Sequence, residues 1–488
     1  MPAGTTSDVS SGDGNDDGYG DGVIIGLEIH VQLNKLCSKM FCSCGLDYHN
    51  APPNTHTCPV CLGLPGSLPV LNKSAVQNAI KVAIALNCGI LPQTQFYRKN
   101  YYYPDLPKGF QTTQYDYPIS TDGHLTIDDD LGHGTRHVRI NRVHMEEDPG
   151  RLVHEGSIDR SKFTLIDYNR AGVPLLEIVT EPDLRSPKEA RRFLNKLRNI
   201  IEYLGVSDSD LDGALRVDAN ISLSGGARAE VKNISSFKGA ERALSFEIVR
   251  QRNVLRRGET VVQETRHFDE LRGVTVSMRT KETEHDYRYF PEPDLVPMMV
   301  TDWVPDIKKT LPELPDAQRE RFLVEYGITG NHATSLTLDP KLAQFFEDVA
   351  HEIDPKTGAS WIVDVLSGEL NYRDLGIDAF KVPDMVKILR MFLDGVIAER
   401  GAITIIRTIL DEGGTPAGIA TEKELTKVET DAVTSAVDEV LAECGDAVAD
   451  YRNGEAKALN YLVGQVMKKT RGRADPPDAR VRLLEQMG

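Results

Sequence analysis

Hydrophobic and polar residues alternate without a break from Ile25 to Leu33. Ile25, Leu27, Ile29, Val31 and Leu33 fall on one face, and Gly26, Glu28, His30 and Gln32 on the other. A period of two is the pattern of a strand with one face in a core. The polar face carries a carboxylate and an imidazole about 7 Å apart, both able to serve as metal ligands or acid/base groups. The same alternation returns at residues 215–223, with Leu215, Val217, Ala219, Ile221 and Leu223 inward and Arg216, Asp218, Asn220 and Ser222 outward. Ala229-Glu230-Val231-Lys232-Asn233-Ile234 follows as a partner strand. In the apolar run Leu175-Leu176-Glu177-Ile178-Val179, Glu177 is costly to bury unless it is paired or bound to metal. His144-Met145-Glu146-Glu147-Asp148 crowds acids that repel one another unless a cation is near. A solvated turn and a magnesium-binding segment both fit it. One sheet is therefore expected to present Glu28, His30, Glu147, Glu177, Arg216, Asp218 and Lys232 on a shared polar face. That is a richer mix of acids and bases than a wet surface needs.

A period of 3.6 marks two helices. Residues 72–88 put Ala75, Ala79, Val82, Ala83 and Leu86 on one face, with Gly89 as a stop. Ser186-Pro187-Lys188-Glu189 is a capping box with proline at the first helical position. The helix it opens is expected to reach about Leu204, with Phe193, Leu194, Leu197, Ile200 and Ile201 in its stripe. Strand signals stop after the proline-punctuated stretch from His285 to Asp294. Residues 315–412 read as helical, with turns at Gly327, Gly330, Gly376 and Gly401, and Gly413-Gly414-Thr415-Pro416 as a linker to a last helical module. Residues 1–22 have almost nothing to bury and read as a disordered acidic tail.

Charge narrows the choice of partners. The chain of 488 residues has a formal net charge of -17, so a polynucleotide would have to meet a local basic patch. Lys457, Lys468, Lys469, Arg471 and Arg473 supply one near the C-terminus. Contact with a phosphate backbone and a charged helix end favoured by the helix dipole both account for it. Arg98-Lys99-Asn100-Tyr101-Tyr102-Tyr103 mixes bases with aromatics, as phosphate and ring contacts do, and as a surface loop with buried tyrosines also does. Cys42-Ser43-Cys44 and Cys58-Pro59-Val60-Cys61 can bring four sulfurs to one tetrahedral zinc. His49 and His56 are possible substitutes for one sulfur, and Cys37, Cys88 and Cys444 read as free thiols. No apolar run approaches the roughly 20 residues that span a membrane, and no signal pattern opens the chain. The expectation is a cytoplasmic protein without membrane contact. There is no phosphate loop, dinucleotide fingerprint or nucleophile elbow. A nucleotide would have to be held by metal and sheet side chains.

These motifs resemble the B subunit of the glutamine-dependent aspartyl/glutamyl-tRNA amidotransferases. The resemblance rests on Gly26-Leu27-Glu28-Ile29-His30-Val31-Gln32-Leu33, Cys58-Pro59-Val60-Cys61, Arg98-Lys99-Asn100-Tyr101-Tyr102-Tyr103-Pro104-Asp105, His144-Met145-Glu146-Glu147-Asp148, Leu176-Glu177-Ile178-Val179-Thr180-Glu181-Pro182-Asp183, Arg216-Val217-Asp218-Ala219-Asn220 and Asp286-Tyr287-Arg288-Tyr289-Phe290-Pro291-Glu292-Pro293-Asp294. A related archaeal protein shares the sheet domain but carries an inserted synthetase-like domain, for which this chain has no room. The resemblance implies an α+β fold: a mainly antiparallel sheet cradle similar to glutamine synthetase and guanidino kinases, then an all-α helical domain and a small all-α tail similar to YqeY. The expected bounds are 23–295 with a zinc-knuckle segment at 37–66, 296–412, and 413–488. ATP would phosphorylate the side-chain carboxylate of misacylated Asp-tRNA(Asn) or Glu-tRNA(Gln), and ammonia would displace the phosphate. Ammonia would come from a separate amidase, with a small third protein joining the two. Magnesium positions carry over to Glu28, His30, Glu147, Glu177 and Asp218, with Glu146 a near neighbour. Arg98, Lys99, Arg216 and Lys232 are the expected phosphate or carboxylate contacts, chosen on charge and place. Zinc at Cys42, Cys44, Cys58 and Cys61 would be structural. Lys457, Lys468, Lys469 and Arg471 would meet tRNA. A stand-alone ligase acting on a free amino acid would have no use for that basic tail. A tRNA-binding scaffold without chemistry would have no use for the carboxylates.

Overall fold

Among the described residues, Val23–Gln32 is a central strand of a twelve-stranded sheet. It runs antiparallel to Pro174–Thr180 on one side and to Leu215–Leu223 on the other. Thr135–Glu147, Phe110–Gln114, Phe96–Asn100 and Phe290–Pro291 follow in order beyond the first neighbour. Ala229–Ile234, Glu264–Asp269 and Val274–Arg279 follow beyond the second. Ser120–Asp128 also pairs with Thr135–Glu147. The pairings are antiparallel apart from Ala229–Ile234 against Glu264–Asp269. This computed structural model describes residues 22–128, 134–154, 163–223, 226–279, 287–426, 430–452, 455–470, 474 and 476–487. The expected acidic tail lies outside them up to residue 21, as do His285, Asp286, Arg471 and Arg473.

The alternation at 25–33 does what it implies. Ile25, Leu27, Ile29 and Val31 are fully buried in one core with Val76, Ile80, Phe193, Leu197, Leu244 and Ile248. Those partners come from three helices, Lys73–Ala85, Pro187–Tyr203 and Phe237–Arg256. Each side chain so buried stabilises the fold by about 1.5–3 kcal/mol. The apolar face of the sheet is thus taken by helices, and the polar face is left for chemistry.

The helix ends are set by local hydrogen bonds. Ser186 Oγ accepts from the Glu189 amide at 3.1 Å, and Glu189 Oε2 accepts from the Arg185 amide at 2.8 Å, closing the expected capping box. Asn72 Oδ1 caps the first helix by accepting from Ser74 N at 2.9 Å. That helix stops earlier than Gly89: Leu86 is its cap and Asn87 takes a left-handed φ of 57°. Asparagine tolerates this conformation well enough to end a helix. Gly89 instead begins the short strand Gly89–Ile90.

Two further expectations are corrected. Strand structure does not stop at the proline-punctuated stretch, because Phe290–Pro291 adds an edge strand to Phe96–Asn100 and Met298–Met299 pairs with Gln93–Thr94. An edge strand tolerates the missing N–H of proline. Gly330 and Gly401 are not turns; they lie in the first turns of Gly330–Leu336 and Glu399–Glu412. A Cβ on Gly401 would come within 3.3 Å of the Leu425 carbonyl, so close packing, not a turn, explains that glycine.

The chain divides into two compact units, Met1–Leu314 and Pro315–Gly488. The second is helical. It holds one core running from Phe322 to Ala420 and another from Ala436 to Met487. The architecture is therefore α+β, a large and mostly antiparallel sheet followed by helices. No described helix is long and apolar enough to cross a membrane.

Candidate active site

Register alone assembles the site. Arg216, His30, Glu177 and His144 stand directly opposite one another on four neighbouring strands, and such residues share a face. His30 Nε2 lies 3.5 Å from Glu177 Oε2 and 3.5 Å from Glu146 Oε1, and His144 Nε2 lies 3.2 Å from Glu177 Oε2. One step along the sheet, Glu28 stands opposite Asp218, and Glu230 joins them from the next strand. Ligand atoms of His30, Glu146 and Glu177 all lie within 4.8 Å of one another, as do those of Glu28, Asp218 and Glu230. Both clusters line one cavity of about 1220 Å³, together with Lys99, Tyr101, Tyr115, Arg170, Arg216, Lys232, Tyr287 and Tyr289.

Basic groups are threaded between the acids. Lys232 Nζ sits 2.7 Å from Asp218 Oδ2 and 3.2 Å from Glu230 Oε1. Asn220 donates to Glu28 Oε1 at 2.9 Å. Burial, then the nearby Glu177, pushes the Glu28 carboxyl above its ordinary value. Burial acts the same way on Glu177, but His144 and His30 overcome it and hold that carboxyl well below the usual range. Burial is the largest influence on His30 and lowers it, but its hydrogen bond to Glu177 together with the charges of Glu177 and Glu146 more than offsets this and leaves it raised. Lys99 is raised too: burial opposes its charge, and Tyr289, Glu146 and Glu177 more than offset this. Five tyrosines form a linked series, and all but Tyr97 line the cavity. Tyr115 and Tyr289 stack with centroids 4.2 Å apart; Tyr97 meets Tyr115, Tyr287 meets Tyr289 and Tyr101 meets Tyr287, each edge to face.

Comparison with known proteins accounts for nearly the whole chain. A family model described as the GatB/GatE catalytic domain matches residues 23–305, and a second, the GatB domain, matches 344–487. A protein of Methanococcoides burtonii is 62% identical over 464 residues, 95% of this chain and 98% of that one. One from Methanosarcina acetivorans is 60% identical over 96% of this chain and 98% of its own length. One from Haloarcula marismortui is 50% identical over 95% and 97%. Each is named as the B subunit of an aspartyl/glutamyl-tRNA(Asn/Gln) amidotransferase. This chain belongs to the GatB family.

The cavity of this GatB chain, from Glu28 to Tyr289, lies wholly within the catalytic-domain match. The two acidic clusters fit hard divalent cations, since oxygen donors dominate both and His30 is the one nitrogen. Four of the expected side chains of the magnesium set (Glu28, His30, Glu177, Asp218) face the cavity, and so does Glu146. Glu147 does not. Strand period two turns it to the opposite face with Val143 and Met145, where it pairs with Lys108 and accepts from the Thr112 amide at 2.9 Å. Arg98 is also elsewhere: it forks onto Glu292 with two bonds of 2.7 Å, 194 residues away in sequence. Lys99, Arg216 and Lys232 do line the cavity. Arg216 donates to fully buried Asp148 at 2.7 Å.

Several site residues escape a reading of the sequence. His144 and Glu230 are the clearest, and a signal exists for Glu230: in Ala229-Glu230-Val231-Lys232 it alternates in phase with Lys232. Arg170 and the tyrosine series carry no periodic signal.

The four cysteines do converge. The sulfurs of Cys42, Cys44, Cys58 and Cys61 lie within 4.8 Å of one another, and neither His49 nor His56 is in the group. An all-sulfur set of four suits zinc. The Cys61 thiol is lowered to about 5, first by its hydrogen bond with Cys42 and also by the Lys39 ammonium 3.8 Å away. In the tail, Lys457 and Lys468 are exposed. Lys469 is already paired with Glu439 at 2.7 Å and Glu443 at 2.8 Å.

Proposed function

We propose that this GatB-family chain is the B subunit of a tRNA-dependent amidotransferase. It converts misacylated Asp-tRNA(Asn), Glu-tRNA(Gln) or both to the amide, as an ATP-dependent carbon–nitrogen ligase. The observation that carries the reading is one cavity with two acidic clusters interleaved with Lys99, Arg216 and Lys232. A carboxylate is a poor acyl donor, so a leaving group must be installed. A side-chain carboxylate oxygen attacks the γ-phosphorus of ATP and ADP departs. Ammonia then attacks the acyl carbon, and phosphate leaves with the former carboxylate oxygen.

The chain's own groups suit both steps. His30, Glu146 and Glu177, and Glu28, Asp218 and Glu230, would hold magnesium, which when bound neutralises phosphate charge and aligns the reacting oxygens. Lys99, Arg216 and Lys232 contact phosphate or carboxylate oxygens. Asp148 fixes the guanidinium of Arg216 for this role. Cys42, Cys44, Cys58 and Cys61 would hold a zinc ion.

The finer picture is a cradle like that of glutamine synthetase and guanidino kinases, a helical domain and a tRNA-binding tail; the expected boundary at 295 moves to Leu314, and that at 412 moves beyond Ala420, the last buried residue of the helical core. The tail would use Lys457, Lys468, Lys469 and Arg471. A cytoplasmic complex with an amidase and a small third protein would supply ammonia. The test uses that complex with labelled Asp-tRNA and Glu-tRNA, magnesium-ATP and ammonium chloride. Labelled asparagine or glutamine on tRNA is expected, and its identity names the substrate. Bound tRNA with no amide on either would favour a scaffold without chemistry.

A further inference from the structure

Between Leu33 and Asn72 the described chain forms neither helix nor strand. Residues 45–57, the loop between the two cysteine pairs, have only Leu46 and Tyr48 to bury, in a small cluster with Val173. So little apolar burial does not hold thirteen residues in one conformation. The cysteine cluster closes both ends of this loop. Its middle, Tyr48, His49, Asn50, Ala51 and Pro53, lines the same cavity as the acidic clusters. Within it, His49 Nε2 is buried and has no hydrogen-bond partner among the described residues, while its ring stacks on Tyr48 with centroids 4.4 Å apart. A buried ring nitrogen left without a partner costs free energy unless something fills the position.

The other edge of the loop is bonded to the segment leading into Pro174–Thr180. The Tyr168 amide donates to Asn54 Oδ1 at 2.7 Å, and the His56 amide donates to Asn169 Oδ1 at 2.7 Å. Fully buried Asn169 donates back to the Pro52 carbonyl at 2.8 Å. Lys39, also fully buried, ties cluster and segment together: its ammonium donates to the His56 carbonyl at 2.7 Å and reaches Cys61 Sγ at 3.8 Å. Next in sequence, Arg170 lies 3.8 Å from Asp148, which holds Arg216. A continuous set of bonds thus runs from the sulfurs to the cavity.

We propose that the cysteine-clamped loop is part of the substrate-binding wall, with His49 Nε2 as its polar contact to the aminoacylated end of the tRNA and the metal cluster as its positioning device. This rests on the amidotransferase reading, and it gives the cluster a role beyond stabilising its own segment. The partner of His49 Nε2 would be a ribose hydroxyl, a phosphate oxygen or the aminoacyl group of that end.

The test uses the assembled complex, with wild-type amidation as the check on the underlying reading. His49→Ala and Asn169→Ala should keep one zinc per chain. They should raise KM for misacylated tRNA about tenfold, since small displacements from a productive pose are costly. KM for ATP should not move. His49→Gln, which keeps a donor, should recover part of the loss. Cys61→Ser should lose the zinc and speed amide exchange both at 45–57 and at 166–170. A merely structural cluster would reduce the active fraction without moving KM. Unchanged KM for tRNA in both His49→Ala and Asn169→Ala overturns the proposal even if Cys61→Ser fails to fold. So does zinc-free Cys61→Ser whose exchange at 166–170 is unaltered.

Discussion

Glu146 and Glu147 are neighbours in sequence and opposites in the sheet, so neutralising each should produce different failures. Glu146→Gln removes a carboxylate that lies 3.5 Å from His30 in the cavity. Its loss takes one of three donors from a cluster expected to neutralise phosphate charge, which is worth several kcal/mol in a transition state. Amidation should fall by at least about a hundredfold, with the melting temperature nearly unchanged. Glu147→Gln instead leaves the Lys108 ammonium, 15% exposed, without its carboxylate, itself 6% exposed. Breaking a buried pair from one side costs about 3–5 kcal/mol. In a unit this large that is about 6–10 °C in melting temperature. The surviving folded protein should retain most of its activity at low temperature. Thermal denaturation by circular dichroism and ammonium-dependent amidation at about 20–25 °C, both on the assembled complex, separate the two outcomes. An active Glu146→Gln, or a Glu147→Gln with wild-type melting and no activity, would refute the assignment of faces.

Other consequences are as direct. Arg139 donates to Asp183 through its amide at 3.0 Å and through its guanidinium twice at 2.8 Å, holding that carboxyl below its ordinary 3.8. A lowered folded value means stability that is fully present above pH about 4 and is lost as pH falls below that through the folded value; Asp183→Asn should therefore flatten the melting-temperature profile below about pH 4. Lys39→Met leaves the His56 carbonyl without its donor, a cost of about 1–3 kcal/mol, and should lower both melting temperature and zinc content measured by mass spectrometry. Lys468→Ala should weaken tRNA binding and reduce its salt slope by about 1. Lys469→Ala should do less, because Glu439 and Glu443 already offset that charge; filter binding at several salt concentrations distinguishes them.

Periodicity makes much of this site legible. Alternation alone places Glu28, His30, Asp218 and Arg216 on one face, because period two admits two answers and the apolar residues choose between them. The same rule, applied to Met145-Glu146-Glu147, puts Glu146 and not Glu147 in the cavity. The family pattern draws attention to Glu147 instead. Arg98 is misplaced for a different reason: its partner Glu292 follows an edge strand that no local pattern announces. The loop at 45–57 has no period to read, so its place in the cavity wall emerges only from tertiary hydrogen bonds such as Asn169 to Pro52. Cysteine spacing fares better, because four sulfurs in two close pairs need little else to meet.

The central claim is that a side-chain carboxylate is phosphorylated in this cavity. Asp-tRNA or Glu-tRNA labelled with oxygen-18 in the side-chain carboxylate, given to the complex with magnesium-ATP and ammonium chloride, tests it directly. The account predicts one labelled oxygen in each inorganic phosphate released per amide formed. Phosphate free of label, with amide still produced, would contradict it.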